Sequence, residues 1–421
     1  MTPFRWRTVV VVVVVALAAA VALDYILVWI TQPEPGPGPS NPAVQLESVQ
    51  TGLAWPIALA FASDGRVFYA ERYTGTIRII EAGIVLPTPF YTLTNTDTSG
   101  ERGLLGLALD PGFPASPWVY AYQTFDDSVN GTVYNRIVRI RANGDVGTSD
   151  SVILTMPDLT GGVVHNGGVI AFGPDGKLYA VVGENTYASL AQSGMSLLGK
   201  VLRMNPDGSP PSDNPFYGSG SWENLVYTYG HRNMFGVAFH PVTGDAYVTE
   251  NGPDCNDEVN HLEAGRNYGW GPTGSCGNPP SPADTNRDGP SPVMPIASYS
   301  PTFAPTNVAF YTGSLLPESQ NDLIFGAWDG IQNDHGLRDL RLTADGTAVV
   351  SQTILVTATE GILDVEMGPD GYLWVTTQST IQRLVAANAT STDAVAFPAL
   401  LLGPTLSVVP ESRPSAFWRK L

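Results

Sequence analysis

The chain has 421 residues, of which 39 are acidic and 21 basic, and its formal net charge at pH 7 is −18. This balance argues against nucleic acid and anionic membrane surfaces as partners, because both repel a negatively charged protein.

The chain begins with an apolar segment. Arg5 and Arg7 precede a run from Val9 to Ile30 that is interrupted by Asp24. Cations before an apolar stretch are typical of a secretory signal peptide, whereas a run of about 20 residues is also long enough for an uncleaved anchor. We favour the anchor. Residues 1–31 therefore predict a membrane-anchored protein with an extracytoplasmic domain, periplasmic or at the cell surface, or a secreted protein if the segment is cleaved.

Three further regions follow the apolar segment. Residues 32–42, QPEPGPGPSNP, predict an extended proline-rich linker. The periodic pattern of a folded domain covers residues 43–386. The tail, residues 387–421, could pack along that domain or stay loose.

A hairpin pattern recurs along the domain. In residues 169–182, an apolar run, a Gly-Pro-Asp-Gly turn and a second apolar run follow one another. The same pattern occurs six times at intervals of roughly 50–70 residues, each with room for two further strands. The last apolar residues before the six turns are Phe61, Leu109, Phe172, Phe239, Phe310 and Met367.

Six copies of a four-strand unit predict an all-β, six-bladed propeller. The alternative is an antiparallel sandwich, which does not usually repeat one unit six times at one period. Residues 44–49 are expected to close the ring against the last blade. Cys255 and Cys276, close together in a loop-rich segment of an exported protein, predict a disulfide in preference to a metal site.

Three segments carry polar residues at the entrances of strands: His165-Asn166-Gly167-Gly168, Gly230-His231-Arg232-Asn233, and the loop from Glu250 to Trp270. Loops at one end of a propeller converge, so these segments can face one cavity. A neutral imidazole could accept a proton, a guanidinium could stabilise an oxyanion, and carbonyls with carboxylates could bind calcium. The alternatives are a structural hydrogen-bond network and a solvated acidic turn.

The order of these motifs resembles a known family. The motifs are RGLLGLALDP from Arg102, HNGG, GPDGKLY, GKVLRMNPDG, DNPF, GHRN, ENGP and NYGWG. Together they are similar to the soluble-type glucose/sorbosone dehydrogenases, the aldose sugar dehydrogenases that use pyrroloquinoline quinone (PQQ), from residue 52 to about 384. The resemblance implies a six-bladed propeller that binds PQQ and calcium, oxidises a small sugar at its anomeric carbon and passes electrons to an acceptor that the sequence does not identify.

The resemblance also implies roles for individual residues. His165 resembles the general base that removes the proton of the anomeric hydroxyl. Arg232 and Asn233 resemble the pair that holds the cofactor and stabilises its reduced oxygen.

The calcium ligands follow from the same comparison of motifs. Gly252 and Pro253 resemble the backbone carbonyls that bind the ion beside the cofactor. Glu258 and Tyr268 match a calcium-binding pair of the bacterial aldose dehydrogenases.

The sequence departs from the family where the cofactor is held. Trp328 stands where a lysine is expected, Gly361-Ile362-Leu363-Asp364-Val365 replaces Arg-x-Arg-Asp-Val, and Glu101 replaces a glutamine. PQQ carries three carboxylates, and each charge-assisted hydrogen bond is worth about 1.5–3 kcal/mol. Binding of PQQ is therefore in doubt, and Arg338 or Arg341 would have to replace the missing cations.

Two other functions compete with the dehydrogenase. A propeller that kept the fold and the calcium loop but lost the cofactor would be a carbohydrate- or protein-binding module. A calcium-dependent hydrolase such as a lactonase also suits six blades, but the order of the motifs argues against it.

Overall fold

The structure is a computed structural model that describes residues 43–328 and 335–387. The apolar segment, the linker and all but the first residue of the tail lie outside the described residues. Within them, six antiparallel sheets surround a common axis, five with four strands and one with a fifth short strand.

The chain enters through β1 (Val44–Thr51), and each of the first three blades then runs from the axis outward. Their strands are, for blade 1, β2 (Pro56–Phe61), β3 (Val67–Glu71), β4 (Thr76–Glu81), β5 (Ile84–Val85) and β6 (Tyr91–Thr92), for blade 2, β7 (Leu104–Leu109), β8 (Trp118–Asp127), β9 (Thr132–Asn143) and β10 (Val146–Asp158), and for blade 3, β11 (Ile170–Phe172), β12 (Leu178–Val182), β13 (Lys200–Met204) and β14 (Val226–Tyr229).

The last three blades follow the same plan. Their strands are, for blade 4, β15 (Met234–Phe239), β16 (Ala246–Glu250), β17 (Asp257–Leu262) and β18 (Ala297–Tyr299), for blade 5, β19 (Pro305–Phe310), β20 (Leu323–Ala327), β21 (Gly336–Leu342) and β22 (Val349–Thr357), and for blade 6, β23 (Asp364–Met367), β24 (Leu373–Thr376), β25 (Thr380–Ala386) and β1.

The prediction of six blades is confirmed, and the sandwich alternative is wrong. The innermost strands β2, β7, β11, β15, β19 and β23 contact one another in a ring. Each of the six apolar residues that mark the repeat is the last residue of one of these strands. The repeat was readable because an apolar strand end followed by turn residues is a local signal.

Two kinds of contact close the ring. The expected closing strand, β1, pairs antiparallel with β25 from Val44 opposite Ala386 to Thr51 opposite Thr380, so the last blade contains both ends of the domain. At the axis, the Asp364 carboxylate of blade 6 accepts a hydrogen bond from the Leu59 amide of blade 1 at 2.6 Å and another from Asn307 Nδ2 of blade 5. Burial raises the pKa of Asp364 to about 6.

Helices are a minor part of the described chain. They are α1 (Ala188–Ala191), α2 (Pro282–Thr285) and one 3-10 turn (Pro317–Ser319). Within residues 43–328 and 335–387, no helix has the length and apolar character needed to cross a bilayer.

The close packing of inner strands yields a stability prediction. A Cβ on Gly106 of β7 would lie 2.1 Å from the Gly168 carbonyl oxygen of the next blade. We expect Gly106→Ala to lower the free energy of unfolding by about 1–3 kcal/mol, because two backbones must separate. Gly112→Ala, in an exposed turn where the nearest atom lies at 3.3 Å, is the control and should change little. Equal unfolding midpoints in urea for both variants would contradict this account.

Candidate functional site

His165 and Glu184 form a buried pair at the axial end of blade 3. His165 precedes β11 in the left-handed region, at φ 58°, and Glu184 follows β12. The His165 Nδ1 and Glu184 Oε1 atoms are 2.5 Å apart. Because a carboxylate accepts, Nδ1 donates, and in the neutral ring Nε2 then keeps its lone pair. Nε2 has no hydrogen-bond partner among the described residues, and the side chain remains 10% exposed.

Blade 4 contains a second histidine–glutamate pair, but the surroundings of its imidazole differ from those of His165. His231 and Glu250 are again 19 residues apart, with His231 Nδ1 at 2.9 Å from Glu250 Oε2. Here, however, His231 Nε2 contacts Thr228 Oγ1 at 2.9 Å and the ring is fully buried against Tyr268. His231 is therefore a structural histidine, and of the two paired imidazoles His165 is the one with a nitrogen left for a substrate.

Glu101 joins three blades beside this pair. Its Oε2 accepts the His165 amide at 2.6 Å and Asn233 Nδ2 at 3.2 Å. Glu101 and Asn233 are both buried, and Asn233 Oδ1 has no partner in the described chain. The segments before β7, β11 and β15 are thus held together by one carboxylate.

Arg232 lies on the other side of Glu184. Its backbone carbonyl accepts the Glu184 amide at 2.9 Å, Nη1 donates to the Asn251 carbonyl at 2.8 Å, and the guanidinium packs on the Trp270 ring. Burial lowers the pKa of Arg232, while the nearby carboxylates, Glu184 first, act in the opposite direction. The structure thus places His165, Arg232, Asn233 and Glu101 around one end of the axis.

A small cavity opens at this end. It is mainly apolar, and its lining contains Glu101 and Trp328 from the predicted site. The lining residues are Trp55, Ile57, Arg72, Glu101, Leu105, Phe235, Asn251, Ala304, Thr306, Trp328 and Leu363.

A smaller crevice holds three of the four predicted calcium ligands. It is lined by Arg232, Glu250, Asn251, Gly252, Pro253, Asn256, Glu258, Trp270, Thr285 and Asn286. Glu258 lies directly across from Glu250 on neighbouring strands, and burial together with the charge of Glu250 raises the pKa of Glu258 well above its ordinary value. No group of three or more His, Cys, Asp or Glu side chains suited to a metal occurs in residues 43–328 and 335–387. A cation here would need backbone carbonyls, which suits calcium.

Tyr268 is placed differently from the other three. Its hydroxyl donates to the His261 carbonyl at 2.7 Å and accepts the Glu263 amide at 2.9 Å. Both hydrogen-bonding capacities of the hydroxyl are therefore used within blade 4, and its backbone carbonyl is left as the possible calcium ligand.

The loop that contains Gly252 and Pro253, the predicted calcium loop, is held in place by a disulfide and by Asp257. The predicted disulfide between Cys255 and Cys276 is confirmed. Asp257 accepts the Gly252 amide through Oδ1 and the Phe303 and Ala304 amides through Oδ2. Burial raises the pKa of Asp257 to about 6 against the effect of these bonds. Asp257 therefore connects the calcium loop to the cavity wall.

The cations considered as replacements lie elsewhere. The Arg338 guanidinium packs over the Phe303 ring at 4.1 Å, and Arg341 pairs with Asp322. Neither lines the cavity. Both are on β21, the third strand of its blade, which keeps them away from the axis.

The glucose/sorbosone dehydrogenase family model matches residues 53–386. The chain belongs to this family. A curated relative, the aldose sugar dehydrogenase YliI of Escherichia coli, is 30% identical over 354 residues, 81% of this chain and 92% of the relative.

Solved structures of the family agree with the propeller. The PQQ-bound aldose sugar dehydrogenase of Streptomyces coelicolor is 31% identical, with a TM-score of 0.66 over 82% of this chain and 98% of that chain. The apo soluble aldose sugar dehydrogenase of Escherichia coli is 28% identical, with a TM-score of 0.72 over 82% of this chain and 100% of that chain. The protein is thus a sugar dehydrogenase-like member of the glucose/sorbosone dehydrogenase family.

Sequence reasoning missed several residues of this site. Glu184, Arg72 and Asn251 stand at or just beyond the ends of β12, β3 and β16, the second strands of their blades. If the ends of the second strands had been aligned in the same way as the ends of the inner strands, the alignment would have indicated that these three residues face the axis. Trp55 carries no such signal, because it precedes the first inner strand in a unique loop.

The residues of the cavity do not fit PQQ as a trianion. Trp328 and Leu363 line it at positions where the resemblance to the family implies cations, and Glu101 adds a carboxylate. Arg72 is the cation of the lining, but its donors already bond to the Gly100 and Arg102 carbonyls and to the Tyr73 hydroxyl. The crevice, with the facing carboxylates of Glu250 and Glu258 beside the Gly252 and Pro253 backbone, offers oxygen ligands of the kind that calcium prefers.

Asp257 generates a prediction about the site. Asp257→Asn keeps one acceptor oxygen, so either Gly252 or the Phe303–Ala304 pair loses its bond. We expect the unfolding free energy to fall by about 1–3 kcal/mol and amide exchange in residues 251–257 to accelerate. The exposed Asp254→Asn, in the same loop, is the control. Unchanged exchange in Asp257→Asn would contradict the proposed connection.

Proposed function

We propose that the protein is an extracytoplasmic sugar dehydrogenase that oxidises an aldose at its anomeric carbon to a lactone, with a quinone acceptor and calcium. The observation that carries the proposal is the His165–Glu184 pair, whose imidazole keeps one nitrogen without a partner in the described chain, beside Glu101 and Arg232. If His165 had only a structural role, we would expect its Nε2 to have a hydrogen-bond partner, as His231 Nε2 has in Thr228.

His165 is suited to accept a proton. Glu184 holds the tautomer in which Nε2 has a lone pair, and the His165 amide is fixed by Glu101. In aldose oxidation Nε2 would take the proton of the anomeric hydroxyl, and a bound quinone would supply the two-electron acceptor that the oxidation of the anomeric carbon requires. The carboxylate of Glu184 stabilises the imidazolium that results.

Arg232 supplies positive charge at the edge of this site. Its guanidinium is anchored by the Asn251 carbonyl and the Trp270 ring, and Asn251 also lines the cavity. A fixed cation in a partly buried position stabilises developing negative charge more than a mobile one in water. Calcium in the crevice of Gly252, Pro253 and Glu258 would add to this field.

The extracytoplasmic location rests on sequence and on the disulfide. Arg5 and Arg7 before the apolar run of residues 9–30 direct export, with the propeller anchored to the membrane or secreted. The Cys255–Cys276 disulfide suits an oxidising compartment.

The absence of the expected cofactor-binding cations from the cavity lining favours a second function, that of a carbohydrate-binding module. A cavity lined by Trp55 and Trp328 could bind a carbohydrate without redox chemistry, as aromatic rings do. This binding module would retain sugar affinity but show no aldose-dependent dye reduction with any quinone.

Substitution of His165 tests the dehydrogenase. With calcium and a quinone supplied, we expect His165→Gln to lower kcat by about 10²–10⁴-fold with little change in melting temperature, because the proton acceptor is lost. His261→Gln, on the third strand of blade 4, is the matched control and should retain activity. Equal dye reduction by wild type and His165→Gln would refute the role of the base.

Calcium binding is testable without turnover. Added calcium should raise the melting temperature, since a ligand at 100 times its Kd stabilises by about 2.7 kcal/mol. Glu258→Gln should reduce this shift, whereas Glu263→Gln, an exposed partner of Arg266, should not. A full shift in Glu258→Gln would place the ion elsewhere.

A further inference from the structure

The walls of the axial cavity are built around two tryptophans. The Trp55 and Trp328 rings are 5.6 Å apart at an interplanar angle of 41°, and Tyr73 packs edge-on against Trp55. Ile57, Leu105, Phe235 and Leu363 complete the apolar lining. Such a surface favours the flat face of an aromatic ligand.

Gly361 lies against Trp328. A Cβ on Gly361 would lie 2.3 Å from the Trp328 carbonyl oxygen and 2.6 Å from its indole ring. Because the nearest atom belongs to the backbone, the path of the chain at residue 328 favours glycine at position 361 whichever side chain stands at 328. The position of one of the two expected arginines therefore offers no cation to the cavity.

The charge around the cavity is poor in free cations. The donors of Arg72 bond to two carbonyls and a hydroxyl, and Arg232 is held by the Asn251 carbonyl. Glu101 adds a negative charge to the lining. A ligand with three carboxylates would meet a mainly apolar wall with one carboxylate, Glu101, and one guanidinium, Arg72, which is already hydrogen-bonded to its neighbours.

Two neutral polar atoms without a partner belong to residues that line the cavity. The Trp55 Nε1–H donor and the Asn251 Oδ1 acceptor are buried, and neither has a partner among the described residues. Buried polar groups without a partner are uncommon in proteins, so a ligand that brings one acceptor and one donor to these residues would satisfy both.

We propose that this cavity binds a planar aromatic quinone that is neutral or carries at most one carboxylate, packed against Trp55 and Trp328, in place of a trianionic quinone. The inference rests on the proposed function for its redox role and concerns which quinone the site accepts. The loss of three charge-assisted contacts should weaken binding of the trianion by about three orders of magnitude relative to a site that has them.

The test compares two forms of one ring. The full chain, with calcium present, is titrated calorimetrically with PQQ and with its trimethyl ester, which has the same ring system without the charges. We expect the ester to bind at least tenfold more tightly, with an affinity that changes little with salt. Tighter binding of PQQ, or no detectable binding of the ester, would overturn the inference.

Two variants check the cause. Trp328→Lys combined with Leu363→Arg places cations at two of the family positions while Gly361 stays, and should reverse the preference in favour of PQQ. Val242→Lys combined with Val129→Arg adds the same charges at exposed sites outside the cavity lining and should leave the preference unchanged. If both double variants shift the preference equally, the effect comes from net charge and the inference fails.

The two proposals can fail separately. If the protein oxidises an aldose but binds PQQ more tightly than the ester, the inference about the quinone is overturned and the proposed dehydrogenase activity is retained. If the protein binds the ester tightly but shows no aldose-dependent dye reduction, the proposed dehydrogenase activity is overturned and the inferred preference of the cavity for an uncharged quinone is retained.

Discussion

The site depends on buried carboxylates that accept backbone amides from neighbouring blades. Glu101 joins blades 2, 3 and 4, Asp257 joins blades 4 and 5, and Asp364 joins blade 6 to blades 1 and 5. The segments that enter the inner strands carry amides that no neighbouring strand satisfies, and a buried amide without a partner is costly. A carboxylate with two oxygens can serve two blades at once, so these residues set the spacing of the blades around the axis.

The same chemistry gives the catalytic end its character. Glu184 holds His165 by a side-chain bond and Arg232 by a backbone bond, so the proton acceptor and the cation share one anchor. His231 and Glu250 show the same device used for packing alone, where Thr228 occupies the second nitrogen. The two imidazoles therefore differ in one contact, the Thr228 hydroxyl that occupies His231 Nε2 and has no counterpart at His165 among the described residues.

The two pockets of the site differ in polarity. The crevice contains the facing carboxylates of Glu250 and Glu258 beside the Gly252 and Pro253 backbone. The cavity is mainly apolar, and Trp328 and Leu363 line it where the resemblance to the family implies cations. The charge of the cavity lining, and not the fold, is therefore the feature in which this chain differs from the site that the resemblance implies.

The amino-acid sequence by itself determined the number of blades, the ends of all six inner strands and the disulfide, because turn chemistry and strand alternation are local properties of the chain. It also marked His165, Arg232 and Asn233 by their motifs. Tertiary structure alone decided that Glu184 is the partner of His165, that Arg72 and Asn251 reach the cavity, and that the Tyr268 hydroxyl turns away from the calcium loop. These outcomes depend on which face of a strand end meets the axis, and one extra residue reverses that face, as the irregular pairing between Met234 and Gly236 illustrates.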